Sequence, residues 1–122
     1  MIEQTANSRK CKRIFFSEAD NIEGVIVIAE MAYKDIPIKF LSLSEGGVSF
    51  QVERILAQQI SKGQVITLKK KEMGLLAFLN NIELEVKYVL DHGIVSQLTF
   101  GCQFVELPKI VLNEIRVMSA RS

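Results

Sequence analysis

The clearest pattern in the chain is the strict alternation of apolar and polar residues in two segments of its second half. Four apolar residues from Ile82 to Tyr88 alternate with charged ones, and the stretch from Leu98 to Phe104 repeats the pattern. Such alternation turns one face of a β-strand towards a core and the other towards solvent. An Asp-His-Gly sequence at 91–93 between them is typical of a tight turn. We therefore predict a β-hairpin with Tyr88 on its inward face.

Four earlier segments also have the composition of strands, at 24–29, 36–43, 48–53 and 64–70. The first is a β-branched run suited to burial on both faces. The second carries Pro37 near its start, where a missing backbone donor is tolerated. The last is expected to turn Val65 or Ile66, together with Leu68, inward. With the hairpin these segments make six strands, and residues 54–60 fit a short helical turn.

The two ends of the chain differ from this strand-rich middle. Residues 1–14 are polar and basic without periodicity, which indicates a flexible arm. Pro108 can open a helix that runs to about Ser119. Its apolar stripe consists of Val111, Leu112, Ile115 and Met118. We predict an all-β fold, a six-stranded antiparallel β-barrel over 15–122, with a C-terminal α-helix at about 108–119 and the arm at 1–14.

An apolar run from Met73 to Leu79 does not fit the strand pattern. It suits either a helical turn that covers the barrel or a patch that binds a partner. Soluble proteins rarely expose apolar patches of this size, so core cover is the favoured interpretation.

Composition narrows the possible functions. The 122 residues suit one domain with a modest core, and a net charge of +1 excludes strong overall attraction to nucleic acid or membrane. Electrostatic binding must then come from a local cluster, at 9–13 or 69–71. No segment has the roughly 20 apolar residues of a membrane helix. Without a secretory segment at the start, and with no disulfide expected between Cys11 and Cys102, we expect a cytoplasmic protein.

Two small motifs carry the candidate chemistry. Arg9 and Arg13 are separated by three residues on the arm, and a guanidinium can fork onto phosphate oxygens or onto the O6/N7 edge of guanine. Ser42 and Ser44 are two residues apart on a strand, so both hydroxyls face the same side. Gly47 then permits positive φ, a bulge or close approach of a ligand to the backbone.

In this order and separation, the motifs resemble those of the PilZ domain, a bacterial receptor for cyclic di-GMP. The family signature is R-x-x-x-R followed by (D/N)-x-S-x-x-G, and residues 100–107 are similar to the family's last strand. The resemblance implies that the arm folds over cyclic di-GMP lying on the barrel. The candidate ligand-binding residues are Arg9, Lys10, Arg13, Ser42, Ser44, Gly46, Gly47 and Gln103. The arginines would grip guanine edges and phosphates, and Ser42 and Ser44 would contact guanine.

The chain departs from the family pattern at two positions. Ser42 stands where the family carries Asp or Asn, and a hydroxyl makes one hydrogen bond where a carboxylate or amide can pair with two guanine N–H groups. One lost hydrogen bond costs on the order of 1 kcal/mol, which weakens binding without abolishing it. Lys10 stands where many members carry a second arginine. Ser8, just before the first arginine, cannot stack and favours one bound nucleotide.

We therefore predict a cyclic di-GMP receptor or adaptor without catalysis, cofactor or metal. Ligand binding would order the arm and signal to a protein effector, from a monomer or weak dimer. A PilZ-fold adaptor that has lost the nucleotide is the alternative, favoured by Ser42. A barrel that binds single-stranded nucleic acid is disfavoured, because most aromatic residues alternate inward. His92 is the single histidine, so a metal site is not expected.

Overall fold

The computed structural model describes residues 13–28, 35–69, 76–91, 93 and 96–121. In chain order they form β1 (Ile14–Phe15), a 3-10 helix (Glu18–Asp20), β2 (Glu23–Val27), β3 (Asp35–Leu43), β4 (Gly47–Glu53), α1 (Arg54–Ala57), β5 (Val65–Lys69), β6 (Ile82–Leu90), β7 (Gln97–Phe104) and α2 (Lys109–Arg121). The predictions for Arg9, Lys10, Cys11, His92 and residues 73–75 lie outside the described residues.

Six of the strands close into an antiparallel barrel in the order β2–β3–β4–β7–β6–β5, with β5 pairing back onto β2. The strand β3 is the most connected of them. Its first half pairs with β2, and its second half pairs with β4 on one edge and with β1 on the other. Thus β1 and β2 follow one another along a single edge of β3, separated by the 3-10 helix.

The predicted architecture is confirmed. Each of the six predicted strands is present within one or two residues of its expected ends, and the C-terminal helix covers Lys109–Arg121. The strand β1 and the 3-10 helix were not predicted. Ile14, which the sequence analysis assigned to the arm, lies in β1 and reaches the core.

The core fills the barrel and the space beneath α2. Phe50 and Phe100 stack at its centre with ring centroids 5.9 Å apart. Val111 and Ile115 of α2 are buried against the same cluster. Leu76 and Leu79, from the apolar run, are also buried in it, so the described part of that run covers the core as favoured.

Two β-bulges change which residues face outward. One lies in β3 between Phe40 and Ser42, and one in β6 between Val86 and Tyr88. A bulge inserts one extra residue and shifts the alternation that follows it to the other face. The prediction that Tyr88 points inward is therefore wrong: Tyr88 is exposed on the outer face of the barrel. The expectation for β5 holds, with Ile66 and Leu68 inward and Val65 outward.

Candidate functional site

Five residues form a continuous row across the outer face of the barrel. Successive strand pairings join Phe15 to Ser42, Ser42 to Ser49, Ser49 to Gly101 and Gly101 to Tyr88. Directly paired residues in antiparallel strands project to the same side of a sheet. The row therefore has small residues at its centre and an exposed aromatic ring at each end.

Arg13, the second arginine of the arm motif, contacts this row at Ser42. Its Nη1 donates a hydrogen bond of 2.8 Å to the hydroxyl of Ser42. That hydroxyl is also 2.5 Å from the hydroxyl of Ser49. Both serines are buried, so these contacts form a small polar cluster beneath the guanidinium.

The turn between β3 and β4 carries the other predicted residues. Its backbone closes through a 2.9 Å bond from the Ser44 N–H to the Gly47 carbonyl. The Ser44 hydroxyl accepts a 3.2 Å bond from the Gly46 N–H and is buried. The turn is also held from β7, because the Phe104 N–H donates to the Gly46 carbonyl at 2.9 Å.

Gly47 is required here for close packing of the backbone. A Cβ at this position would overlap the carbonyl oxygen of Cys102 on the neighbouring strand. Its φ is not positive, and the group that lies against it is the protein's own backbone. The predicted approach of a ligand to this glycine stays a prediction.

A shallow pocket of about 190 Å³ opens beside this turn. It brings together four predicted site residues, Arg13, Gly46, Gly47 and Gln103. Ser42 and Ser44 are not among its lining residues, because their hydroxyls are buried and bonded within the protein. Cavities that enclose a drug-sized ligand usually measure roughly 300–1,000 Å³, so a dinucleotide would lie across this pocket and extend beyond it.

Sequence reasoning missed Tyr88, Lys87 and Gly101, which also line the pocket. The Tyr88 ring lies directly over Gly101, since a Cβ there would overlap the ring. Glycine in the middle of an otherwise regular strand often marks close approach of another group, and this was the available signal. The bulge that turns Tyr88 outward has no clear signature in the alternation of β6.

Positive charge dominates the pocket. Arg13 and Lys87 both line it, and no carboxylate does among the described residues. Lys87 also lies 3.4 Å from a carboxylate oxygen of Glu85 on the outside of β6, where both side chains are about half exposed. The arrangement suits an anionic ligand with a planar group, because the cations lie next to an exposed aromatic ring.

A larger pocket of about 570 Å³ lies at the other end of β6, lined partly by Thr67, Asn81, Glu83 and Glu106. It contains none of the predicted site residues. Its two carboxylates would repel phosphate, so we place the candidate site at the smaller pocket. Among the described residues no group of three His, Cys, Asp or Glu side chains is arranged to hold a metal ion.

An ion pair connects the C-terminal helix to the site. Nε of Arg116 on α2 lies 3.3 Å from a carboxylate oxygen of Glu45, which sits in the turn between Ser44 and Gly46. Over the described part of the chain, neither α2 nor the shorter helices have the length and apolarity that crossing a membrane would take.

The sequence matches no protein-family model and no curated protein. Solved structures, however, are similar to the whole barrel. The PilZ domain of YcgR from Escherichia coli, solved with cyclic di-GMP, superposes with a TM-score of 0.71 at 12% identity, covering 93% of this chain and 89% of that one. The MrkH complex with cyclic di-GMP from K. pneumonia gives 0.67 at 18% identity. Bacillus subtilis MotI, an inhibitor of motility, gives 0.65 at 14%.

The superpositions on MrkH and MotI include 93% of this chain, but this chain spans only about half the length of each of those proteins. The similarity includes the closed six-stranded barrel, the extra strand and the C-terminal helix. By its architecture, and in agreement with the order of its sequence motifs, the chain is a PilZ-fold protein.

Proposed function

We propose that this protein is a receptor for cyclic di-GMP and that the ligand binds across the outer face of the barrel between Phe15 and Tyr88. The observation that carries the proposal is the pocket that gathers Arg13, Gly46, Gly47 and Gln103. These residues come from three separate places in the sequence, the segment before β1, the β3–β4 turn and β7. Two of the similar structures, those of YcgR and MrkH, contain cyclic di-GMP, which supports the choice of ligand.

Each part of the pocket suits one part of this ligand. The guanidinium of Arg13 and the ammonium of Lys87 provide donors and charge for phosphate oxygens. The exposed ring of Tyr88 offers a surface for a guanine base, and base–aromatic stacking contributes roughly 1–3 kcal/mol per base. Gln103 has both a donor and an acceptor for a base edge. These contacts bind and orient a ligand, and we propose binding without catalysis.

We further propose that binding changes the arm at 1–14 and that a protein effector detects the change. Arg13 already contacts the barrel, and Arg9 and Lys10 precede it on the same segment. A ligand that contacts Arg13 would bring the remaining basic residues over its phosphates. The ion pair between Glu45 and Arg116 gives the same turn a connection to α2, which exposes Ile110 and Val117.

Calorimetric titration with cyclic di-GMP tests the proposal directly. Wild-type protein should release or absorb heat with a defined stoichiometry. The Arg9→Ala/Arg13→Ala variant should lose at least tenfold in affinity, because two charge-assisted contacts are removed. Arg121→Ala, which removes a cation at the far end of α2, is the matched control and should bind like wild type.

Absence of heat with folded wild-type protein at high micromolar ligand, together with an unchanged melting temperature, would exclude the receptor. Equal loss in the Arg121→Ala control would also contradict the proposal, since it would point to general charge attraction.

A nucleotide-free adaptor is the second candidate, and one observation favours it. Ser42 bonds to Arg13 and Ser49 and is 2% exposed, so its hydroxyl is used within the protein. An adaptor with that internal arrangement would keep the barrel and lose the ligand. The same titration separates the two, because the adaptor predicts no binding by wild-type protein.

A further inference from the structure

We propose that Ser49 is a positioning residue of the candidate site. Its hydroxyl holds the Ser42 hydroxyl in the orientation in which Ser42 accepts a hydrogen bond from the Arg13 guanidinium. The inference rests on the proposed function and deepens it, because it identifies what fixes the arginine that would meet the ligand. Ser49 belongs to neither of the two sequence motifs and does not line the pocket.

The register of the barrel puts Ser49 in place. It is the direct partner of Ser42 across β3 and β4, just beyond the bulge after Phe40. Val48 and Phe50 on either side of it are fully buried in the core. Ser49 therefore projects to the opposite, outer side, where its hydroxyl lies 2.5 Å from that of Ser42.

The hydrogen-bonding capacities of the three groups define the arrangement. A guanidinium only donates, so the oxygen of Ser42 must accept the 2.8 Å bond from Arg13 Nη1. A hydroxyl has a single proton and two acceptor sites. Whether Ser42 donates to Ser49 or accepts from it, the Ser42 oxygen keeps one site for Arg13. The second serine thus satisfies Ser42 without competing for the arginine.

Burial makes this support necessary. Ser42 and Ser49 are 2% and 7% exposed, so water has little access to replace a missing partner. A buried hydroxyl that loses its partner rotates towards any remaining acceptor or donor, and the direction of its lone pairs is no longer fixed. Removal of the Ser49 hydroxyl would therefore loosen the contact between Ser42 and Arg13.

The Ser42–Ser49 pair beneath Arg13 is also electrically neutral. The Ser42 hydroxyl accepts a hydrogen bond from the guanidinium without cancelling its charge, whereas a carboxylate in this place would form an ion pair with it. The charge of Arg13 is thereby left for a ligand phosphate at the pocket that it lines. The pair Ser42–Ser49 thus positions the cation and keeps it available.

A double-mutant cycle on cyclic di-GMP affinity tests the inference. Ser49→Ala should weaken binding by about three- to tenfold, and Ser49→Thr, which keeps a hydroxyl, should stay within twofold. In the Arg13→Ala background, the further change Ser49→Ala should alter the affinity by less than twofold. Ser96→Ala removes an exposed serine hydroxyl elsewhere and should have no effect. Equal loss from Ser49→Ala with and without Arg13, or no loss at all, would overturn the inference.

A second readout needs no ligand and separates failure of the inference from failure of the receptor proposal. Rotation of the Arg13 Nη groups, measured by NMR, is slowed by a hydrogen bond. Ser49→Ala should accelerate this rotation at least fivefold, and Ser49→Thr should leave it unchanged. An unchanged rate in Ser49→Ala would overturn the inference that Ser49 positions Arg13 through Ser42. An accelerated rate in a protein that does not bind cyclic di-GMP would contradict only the receptor.

Discussion

At the scale of single residues, the site depends on which side chains are small. Gly47 and Gly101 both line the pocket. The Cys102 carbonyl fills the space that a side chain would take at Gly47, and the Tyr88 ring fills it at Gly101. Backbone atoms cannot move aside as the end of a side chain can. Within the turn, a Cβ at Gly47 would overlap backbone, whereas a Cβ at the adjacent Gly46 would have free space. The two glycines should therefore differ in how well they tolerate a side chain.

We expect Gly47→Ala to lower the free energy of unfolding by about 1–3 kcal/mol, as overpacking of a rigid site does. Gly46→Ala should change it by no more than about 0.5 kcal/mol, because the nearest atom to a Cβ there is 3.9 Å away. Urea unfolding of both variants measures the difference. Equal destabilisation would show that the Cys102 carbonyl is not the constraint.

Cys102 offers a test of burial at the same scale. Burial raises the pKa of its thiol from the ordinary value near 9 to about 12, because the charged thiolate is disfavoured away from water. Below pH 9 the thiol is protonated in both states. Between pH 9 and 12 the unfolded chain loses this proton while the folded protein keeps it. The stabilising contribution is therefore complete below pH 9 and is lost as the pH rises.

We expect the unfolding free energy of wild type to fall over this interval more steeply than that of Cys102→Ala, by up to about 1.4 kcal/mol per pH unit. Urea unfolding of both proteins at pH 7, 9 and 10.5 measures the difference in slope, in which the other titrating groups cancel. Parallel slopes would contradict the burial of the thiol.

At the scale of elements, α2 packs a buried apolar stripe against the core and forms a surface ion pair with the β3–β4 turn. Val111 and Ile115 are buried, one turn apart, while Ile110 and Val117 face outward. The ion pair between Arg116 and Glu45 is partly exposed, and such pairs contribute roughly 0–1 kcal/mol. The helix therefore owes its position mainly to its buried stripe.

Ile115→Ala should lower the unfolding free energy by about 2–5 kcal/mol, since it removes fully buried methyl groups and leaves a cavity. Ile110→Ala removes the same atoms from a side chain that is 73% exposed, and should change it by no more than about 0.5 kcal/mol. Chemical denaturation followed by circular dichroism compares the two. Similar losses would mean that the outward face of α2 is also covered.

At the scale of the whole molecule, closure of the barrel creates the site. Arg13, the β3–β4 turn, β6 and β7 are distant in sequence, and they meet because β4 pairs with β7 and β7 with β6. The net charge of +1 provides no general attraction for anions. Ligand binding should then depend on the local pair of cations and on the intact barrel.

A ligand that binds only the folded protein stabilises it by mass action, by about 2.7 kcal/mol at a concentration of 100 Kd. For a domain of this size we expect cyclic di-GMP to raise the melting temperature by on the order of 10 °C. Differential scanning fluorimetry measures the shift, which should vanish in Arg9→Ala/Arg13→Ala. A shift that persists in this variant would place the ligand elsewhere.

The sequence by itself determined the strands, their approximate ends, the final helix and most of the core. Period-two alternation and a helical apolar stripe are local signals, and burial of one face of each element is the dominant stabilising term. The order of the two motifs also indicated the fold. The inward residues of β7 lie where the pattern predicted them. Of the predicted stripe of α2, Val111 and Ile115 are buried, while Leu112 and Met118 are half-buried.

Only the tertiary structure decided which of these residues meet. A one-residue bulge in β6 turns Tyr88 outward, and cross-strand register sets it over Gly101. The same register pairs Ser42 with Ser49, so that the Ser42 hydroxyl is bonded within the protein to Ser49 and to Arg13. Register and bulges arise from packing between strands far apart in the chain, and alternation within one strand carries no information about them.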